Sequence, residues 1–442
     1  MMSKNLAILT YGCQMNKYDS ERIVGILKGL DFQLTDDLRS ADMIMLNTCS
    51  IREKAEQKVF SQLGRLKRLK EDNPDLIIGV GGCIAQIKGD KIFQRAPQVD
   101  LIFGTLNIDH LSSMVREVEK KRGRVIGIAK DFDPDIQPPL TFRESQVSAW
   151  VNIIQGCDNY CTYCVVPYTR GRERSRSSSI ILDEIRGLAD QGYKEVTLLG
   201  QNVNSYGKDK SDGIDFPQLL YMIEEIDGIK RIRFVTSHPK DISERLMYAM
   251  RDMNKVCEHL HLPLQSGSNR ILNKMGRGYT SEEYLSKIDR LKSFIPEIVI
   301  STDIIVGFPG ETDDDFNKTE EILKEVEYDT IFLFKYSPRP ETLAGSLSNH
   351  VPPNIKEERF NNLLMIQKEI SLKKNKALEG TSDEVLVEGH SKKDPGKLTS
   401  RTRSNKIVNF YSNRDMKGEI IEVKIIRGGL YSLDGEIIER GC

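Results

Sequence analysis

The chain has 442 residues, 39% of them hydrophobic, which is enough for about three domains with true apolar cores. Its 64 Lys and Arg stand against 65 Asp and Glu, so net charge singles out no class of partner and any nucleic-acid contact must come from a local patch. Eight cysteines do not make a disulfide-stapled mini-protein, no run reaches the roughly 20 apolar residues of a membrane span, and the opening MMSKNLAILT lacks the length and cleavage site of a secretory signal. A cytoplasmic protein with no membrane partner is expected, and in that reducing setting clustered thiols read as metal ligands or catalytic groups.

From the start to about residue 125, short β-rich runs alternate with helical patterns: NLAILTYG, SERIVGILKGL, ADMIMLNT, IREKAEQKVFSQLGRLKRL, DLIIGVGG, VDLIFG and HLSSMVREVEKK. This alternation predicts a doubly wound, parallel α/β domain over residues 1–130. The stretch 131–145, DFDPDIQPPLTFRES, has three prolines and no period, and reads as a linker. Six β-rich runs follow, AWVNIIQG, KEVTLLGQ, RIRFVTSH, EHLHLPLQ, EIVISTDIIVGF and DTIFLFKYS, with helical patterns between them. They predict a partial (β/α)6 barrel over 146–375, with its working end at the strand C-termini. A long helix over 355–380, stopped by Gly380, ends that domain, and the short strands of 376–442 predict a small all-β barrel. The fold class is therefore α/β multidomain.

The strongest chemical signal is Gly156-Cys157-x3-Cys161-x2-Cys164, directly after the first barrel strand. Three thiolates can hold three corners of a [4Fe-4S] cluster and leave one iron open to a small ligand. A structural zinc site would need a fourth ligand nearby, and no histidine occurs between His110 and His238.

Cys13, Cys49 and Cys83 end the first, second and third β-runs, 36 and 34 residues apart, about one βα unit each time. Parallel strands bring such ends to one edge of the sheet, so the three thiols are expected to converge there, with three buried structural cysteines as the alternative. The glycines of GVGGC lack the G-x-G-x-x-G order of a dinucleotide loop and read as backbone that wraps the cluster.

Two basic stretches stand out. Arg170, Arg172, Arg174 and Arg176 follow the cysteine loop, and Lys392, Lys393, Lys397, Arg401, Arg403 and Lys406 lie in the C-terminal β segment. Both suit RNA loops, with a solvated charged face as the alternative. His259 and His261 alternate along one strand and are expected to hydrogen-bond inside the barrel, while Cys257 and Cys442 have no partner pattern.

Cys157-x3-Cys161-x2-Cys164, with Tyr163 before the last Cys, resembles the signature of the radical S-adenosylmethionine (SAM) superfamily. TYGCQMNKYDSE, NTCSIREKAEQK, GVGGCIAQ, QGCDNYCTYCVVPYTRGRERSR, LLGQNVNSYG, TSHPKD, HLPLQSGSNRILNKMGRGYT and IIVGFPGET extend the resemblance over essentially the whole chain, to the methylthiotransferase family of that superfamily.

The resemblance implies SAM and two [4Fe-4S] clusters as cofactors. Cys157, Cys161 and Cys164 would hold the SAM-cleaving cluster, and Cys13, Cys49 and Cys83 an auxiliary cluster that supplies sulfur. Tyr163, Gly200, Gln201, Asn202, Gln265, Ser266, Gly267, Val306, Gly307 and Phe308 would surround SAM. The C-terminal barrel would be an OB-like, RNA-binding TRAM domain, and Arg170, Arg172, Arg174, Lys397, Arg401, Arg403 and Lys406 would contact RNA.

The implied reaction converts N(6)-dimethylallyladenosine next to a tRNA anticodon to its 2-methylthio derivative. Similar enzymes act on a threonylcarbamoyladenosine or on a ribosomal-protein aspartate, and GCQMN with YTRGRERSR resembles the dimethylallyladenosine enzymes rather than these. A non-catalytic iron-sulfur electron carrier is the alternative of another class, and it would have no use for SAM. The implied partners are a tRNA anticodon stem-loop carrying dimethylallyladenosine, an electron donor such as flavodoxin or ferredoxin, and a sulfur donor, for a monomeric chain. Two departures stand out: Pro340 leads into Glu341-Thr342-Leu343 where the family reads PGTPA, and Ser400 replaces a Gly.

Overall fold

A computed structural model describes residues 3–49, 53–121, 123–135, 142–339 and 341–438. Part of the expected linker (136–141), Pro340 and Cys442 lie outside the described residues. The chain forms two compact units.

The first unit comprises Met1–Glu144 with Ile154–Tyr160 and Cys164–Arg176. Its centre is a six-stranded sheet of β1 (Lys4–Thr10), β2 (Phe32–Leu34), β3 (Met43–Thr48), β4 (Ile77–Gly82), β5 (Leu101–Phe103) and β6 (Val125–Gly127), in the order β2-β1-β3-β4-β5-β6. Every neighbouring pair is parallel.

Side chains alternate between the faces, as the two-residue period of a strand requires. Ile44, Leu46, Ile78 and Val80 pack with Val59, Leu63 and Leu66 of helix Glu53–Asp72. Met43, Met45, Leu101 and Phe103 pack on the other face, with Ile23, Val24 and Leu27 of helix Gln14–Lys28 and with Leu111 and Val115 of helix Leu111–Lys121. Burial of both faces is why these strands read as unbroken apolar runs.

The two edge strands, β2 and β6, have three residues each and only one fully buried, and the sequence analysis did not find them, whereas it read β5, equally short but buried throughout. The strand order reverses direction between β1 and β3, which makes a crevice at the C-terminal ends of those strands.

β7 (Ser148–Asn152) opens the second unit, whereas β8 (Ile154–Gln155) and β9 (Arg174–Ser175) pair antiparallel within the first and bracket residues 156–173. The second unit continues with β10 (Glu195–Leu199), β11 (Arg231–Phe234), β12 (His259–His261), β13 (Val299–Val306) and β14 (Thr330–Lys335). These form two three-stranded parallel sheets, β11-β10-β7 and β12-β13-β14, linked by a bridge between Ile232 and Val256. The result is the open six-stranded barrel.

Three of its helices start on reciprocal caps, Asp215 paired to Gln218, Thr280 to Glu283 and Thr312 to Asp315. The closing helix runs Pro353–Lys376 and ends in a turn before Gly380, four residues short of the expectation.

β15 (Ser382–His390), β16 (Lys397–Thr402), β17 (Ile407–Tyr411), β18 (Ile420–Gly428) and β19 (Leu433–Ile437) close a barrel in the order β15-β16-β17-β19-β18 around Val385, Leu398, Val408, Phe410 and Val423. Ser400 is fully buried there, and its hydroxyl donates to the Val408 carbonyl at 2.9 Å, so the hydroxyl is satisfied in an apolar interior. Among the described residues no helix is long and apolar enough to cross a membrane.

Candidate metal centre

Cys13, Cys49 and Cys83 all lie at the C-terminal edge of the first sheet. Cys13 precedes helix Gln14–Lys28, Cys49 directly follows β3, and Cys83 opens helix Cys83–Lys88 after β4. Gly12 has φ 129°, and a Cβ on it would lie 2.5 Å from Cys49 Cβ and 3.0 Å from Cys49 Sγ. Glycine is therefore what allows the ends of β1 and β3 to close on each other.

A hydrogen bond with Cys49, working against burial and aided by the charge of Arg170, lowers the Cys13 thiol to about 6. Burial raises Cys83, and the Cys13 charge adds to that rise. The edge is braced by a buried asparagine pair that the sequence analysis did not single out. Asn16 Nδ2 donates to the Thr48 carbonyl at 2.9 Å, and Asn47 Nδ2 donates to the Asn16 carbonyl at 2.7 Å.

Arg170 belongs to the same neighbourhood. It ends helix Val166–Arg170, which packs on helix Cys83–Lys88. Its Nη2 donates to Asp19 Oδ2, and its buried Nη1 has no hydrogen-bond partner. The sequence analysis placed Arg170 on an RNA-facing surface; the structure places it in the interior.

The cysteine loop follows β8. Gly156 has φ 82°, and a Cβ there would sit 2.0 Å from the Arg172 carbonyl oxygen, so the residue before Cys157 must be glycine. Within the loop, Cys157 and Cys164 belong to the first unit and Cys161–Tyr163 to the second. The Cys157 amide donates to the Gly171 carbonyl at 3.3 Å, and Cys164 Sγ accepts from the Val166 amide at 3.5 Å. Cys161 is buried, and its sulfur accepts from Arg277 Nη1 at 3.3 Å.

Among the described residues no three His, Cys, Asp or Glu side chains group tightly enough to chelate one metal ion. Three thiols are the donor set that corner ligation of an iron-sulfur cluster uses, which does not require them to meet on one ion.

The expected SAM residues sit at the C-terminal ends of the barrel strands. Gly200, Gln201 and Asn202 follow β10, Gln265 and Ser266 lie beyond β12, and Val306 ends β13 just before Gly307 and Phe308. Asn202 Nδ2 donates to Asp241 at 2.7 Å, while its buried Oδ1 has no partner. Gln265, held at φ 70°, likewise has a buried Oε1 without a partner. Ser237 Oγ and His238 Nε2, just beyond β11, are also buried and unpartnered.

Such open polar atoms at the strand ends fit a ligand rich in donors and acceptors, as SAM is. Tyr163 meets Phe308 edge-on at 6.5 Å. Gly267 and Gly307 have a packing role: a Cβ at Gly267 would meet the Lys318 backbone at 2.4 Å, and one at Gly307 would meet the Lys356 side chain at 2.3 Å. His238 is held neutral, because burial and the charge of Arg277 push it down to about 2. His259 and His261 both reach Ser301 Oγ, at 3.3 and 3.0 Å. Ser237 and His238 were discoverable by the strand-end rule applied to RIRFVTSH; Arg277 carried no such signal.

The basic residues are mostly in ion pairs. Arg172 pairs with Asp158 at 2.8 Å, Arg174 with Asp131 at 2.6 Å, Lys397 with Asp434 at 2.9 Å and Arg401 with Glu388 at 2.8 Å. Arg403 reaches Glu258 at 2.6 Å and the Val256 carbonyl at 2.7 Å, and Lys406 reaches Asp329 at 2.9 Å. Arg231 and Arg233 reciprocate, donating to the Arg401 and Thr402 carbonyls at 2.7 Å. Arg403 and Lys406 thus fasten the small barrel to the six-stranded one.

An open six-stranded parallel barrel with a three-thiol loop after its first strand defines a radical SAM protein. The sequence profile of the radical SAM superfamily matches residues 151–323, that of the uncharacterized protein family UPF0004 residues 5–104, and that of the TRAM domain residues 376–438. The chain is 49% identical over 434 residues to a tRNA-2-methylthio-N(6)-dimethylallyladenosine synthase of Thermoanaerobacter sp. (strain X514), covering 98% of this chain and 92% of that one. It is 48% identical over 440 residues to the protein of that name from Carboxydothermus hydrogenoformans, covering 99% and 100%. The chain belongs to the family of tRNA-2-methylthio-N(6)-dimethylallyladenosine synthases. In fold it is similar to TsrM of Kitasatospora setae, a radical S-adenosylmethionine methyltransferase, with a TM-score of 0.58 and 15% identity over 78% of this chain and 77% of that one.

Proposed function

We propose that this enzyme replaces the C2 hydrogen of N(6)-dimethylallyladenosine, next to a tRNA anticodon, with a methylthio group. The observation that carries the reading is the presence of two thiol trios, each at the working edge of a parallel sheet or barrel, in a chain about half identical to synthases of that name. The cofactors are SAM and [4Fe-4S] clusters. When bound, they supply what an unactivated aromatic C–H demands: a radical, a methyl group and a sulfur.

The protein's own part is binding, orientation and exclusion of water. Cys157, Cys161 and Cys164 hold the SAM-cleaving cluster, and Cys13, Cys49 and Cys83 hold the auxiliary one. The open side-chain carbonyl oxygens of Asn202 and Gln265 would help hold SAM, with Tyr163, Phe308 and the backbone of Gly200–Gln201, Ser266 and Val306–Gly307 beside it. Arg172, Arg174, Lys397 and Arg401 are the RNA contacts, exchanging their carboxylate partners for phosphates. The domains divide as residues 1–130, 146–375 and 376–442. The enzyme works in the cytoplasm as a monomer, served by a flavodoxin- or ferredoxin-type electron donor and a separate sulfur donor.

The test is anaerobic reconstitution, an iron count, and incubation with SAM, dithionite and tRNA that bears or lacks dimethylallyl groups. About eight irons per chain and a methylthio nucleoside only from the dimethylallyl tRNA are expected. About four irons, or SAM cleaved with no RNA product, overturns the reading.

A further inference from the structure

Helix Asn269–Met275 begins on the Ser268 hydroxyl and ends at Gly276, whose left-handed conformation (φ 69°, ψ 39°) turns the chain out of the helix. The turn leaves the last carbonyls of the helix without helical partners, and the cysteine loop takes them. The Thr162 amide donates to the Met275 carbonyl at 2.9 Å, and Thr162 Oγ1 donates to the Lys274 carbonyl at 2.8 Å. On its other side, the Thr162 carbonyl accepts from the Ala344 amide at 2.8 Å. That contact is where the departing segment Glu341-Thr342-Leu343 delivers the chain. Residues 161–163 are thus pinned to a rigid helix end, and the first residue after the cap glycine is Arg277.

Arg277 is 4% exposed. Its Nε donates to Tyr279 OH at 3.1 Å, its Nη2 to the Pro263 carbonyl at 3.2 Å, and its Nη1 to Cys161 Sγ at 3.3 Å and Tyr163 OH at 3.5 Å. Tyr279 OH is itself anchored on the Pro263 and Leu264 carbonyls. The oxygen partners of the guanidinium are a carbonyl and two phenol hydroxyls, and no carboxylate among the described residues forms an ion pair with it. A guanidinium cannot shed its proton, and a buried cation without a counter-charge is strongly unfavourable. Among its partners, the one that a bound cluster would make anionic is Cys161 Sγ, held at 3.3 Å.

We propose that Arg277 is a positioning residue that holds the Cys161 thiolate and sets the reduction potential of the cluster bound there. This rests on the assignment of Cys157, Cys161 and Cys164 as its ligands. Reduction adds one electron and one negative charge to the cluster, and no proton or group moves. A fixed cation with an N–H···S hydrogen bond favours the more negative state and raises the potential. Without it, a low-potential one-electron donor reduces a smaller fraction of the enzyme.

The experiment uses the full chain as Cys13→Ala/Cys49→Ala/Cys83→Ala, reconstituted with iron and sulfide, so that one cluster is observed. About four irons per chain and a reduced-cluster paramagnetic signal that changes on adding SAM are expected of this parent. Their absence overturns the ligand assignment before Arg277 is touched. In the same background, Arg277→Gln is titrated against dithionite-poised mediators. With iron retained, the ratio of reduced to oxidised cluster at a fixed potential falls about tenfold, a shift of about 59 mV for a one-electron couple. An unchanged ratio overturns the proposal.

If the Gln variant fails to hold iron, Arg277→Lys decides. Iron retained with a ratio within about threefold of the parent supports a charge role. A tenfold fall, or loss of iron from the Lys variant as well, overturns it.

Discussion

Arg170 Nη2 and Asp19 Oδ2 lie 2.6 Å apart inside the first unit, with both side chains 3% exposed, although 151 residues separate them in the chain. Asp19 is on the helix that starts at Cys13, and Arg170 ends the helix that starts two residues after Cys164. One ion pair therefore ties the segments behind the two cysteine groups together. Replacing Arg170 by Met strands a buried carboxylate and is expected to cost about 3–5 kcal/mol. Urea unfolding under anaerobic conditions measures it. An Arg170→Met/Asp19→Asn double variant, which strands no charge, should recover a large part of the loss.

Gly82 has φ 91°, and a Cβ there would sit 2.4 Å from the Thr48 carbonyl oxygen and 2.8 Å from the Thr48 amide nitrogen. Neither backbone atom can move without shifting Cys49 next to it. Gly82→Ala is therefore expected to cost about 1–3 kcal/mol of local strain and to displace Cys83 from Cys13 and Cys49. Iron should fall from about eight to about four per chain, with SAM cleavage retained. An unchanged iron count would show that the trio tolerates the shift.

Enclosure in the barrel, reinforced by the charges of Arg233, His261, Arg401 and Lys406, pushes the His259 imidazole down to about 3. Its unfolded value is near 6.5, so the folded state prefers the neutral ring. The stabilisation from this preference is complete above pH 6.5 and is lost as pH falls from there towards 3. Between pH 7.5 and pH 5 the native protein should lose about 1–2 kcal/mol through this residue. His259→Asn should remove that share of the decline, which paired urea midpoints at the two pH values would reveal.

Arg403 and Lys406 lie in a basic stretch, yet their charged ends are engaged by Glu258 and Asp329 of the larger barrel. Arg403→Gln is expected to loosen the small barrel, seen as faster proteolysis near residues 377–381. The salt dependence of tRNA binding should change by less than the slope of about 0.9 that one phosphate contact contributes. Lys397→Gln, which leaves Asp434 paired with Arg427 alone, should change that slope by about a full contact.

The placement of Cys13, Cys49 and Cys83 at one sheet edge could be read from the sequence because each ends a β-run about one βα unit after the last. The open barrel and the five-stranded barrel were legible for the same reason: period-two runs and turn residues are local properties. Arg170 and Arg277 were not, because their roles depend on partners 151 and 116 residues away. Charge counting placed Arg403 and Lys406 on an RNA surface because a run of cations in sequence says nothing of the carboxylates that the fold brings to them. β2 and β6 escaped because only one residue of each is fully buried, which leaves no apolar run of the kind that marked β5.

Since Ile154–Tyr160 and Cys164–Arg176 belong to the first unit, that unit is interrupted by the opening strand of the second. A ribosome that has released Glu144 has therefore not yet released a complete first domain. Asp19 waits for its cation, and the Cys13, Cys49 and Cys83 crevice for its flank, until Arg170 has left the exit tunnel about 25 residues later.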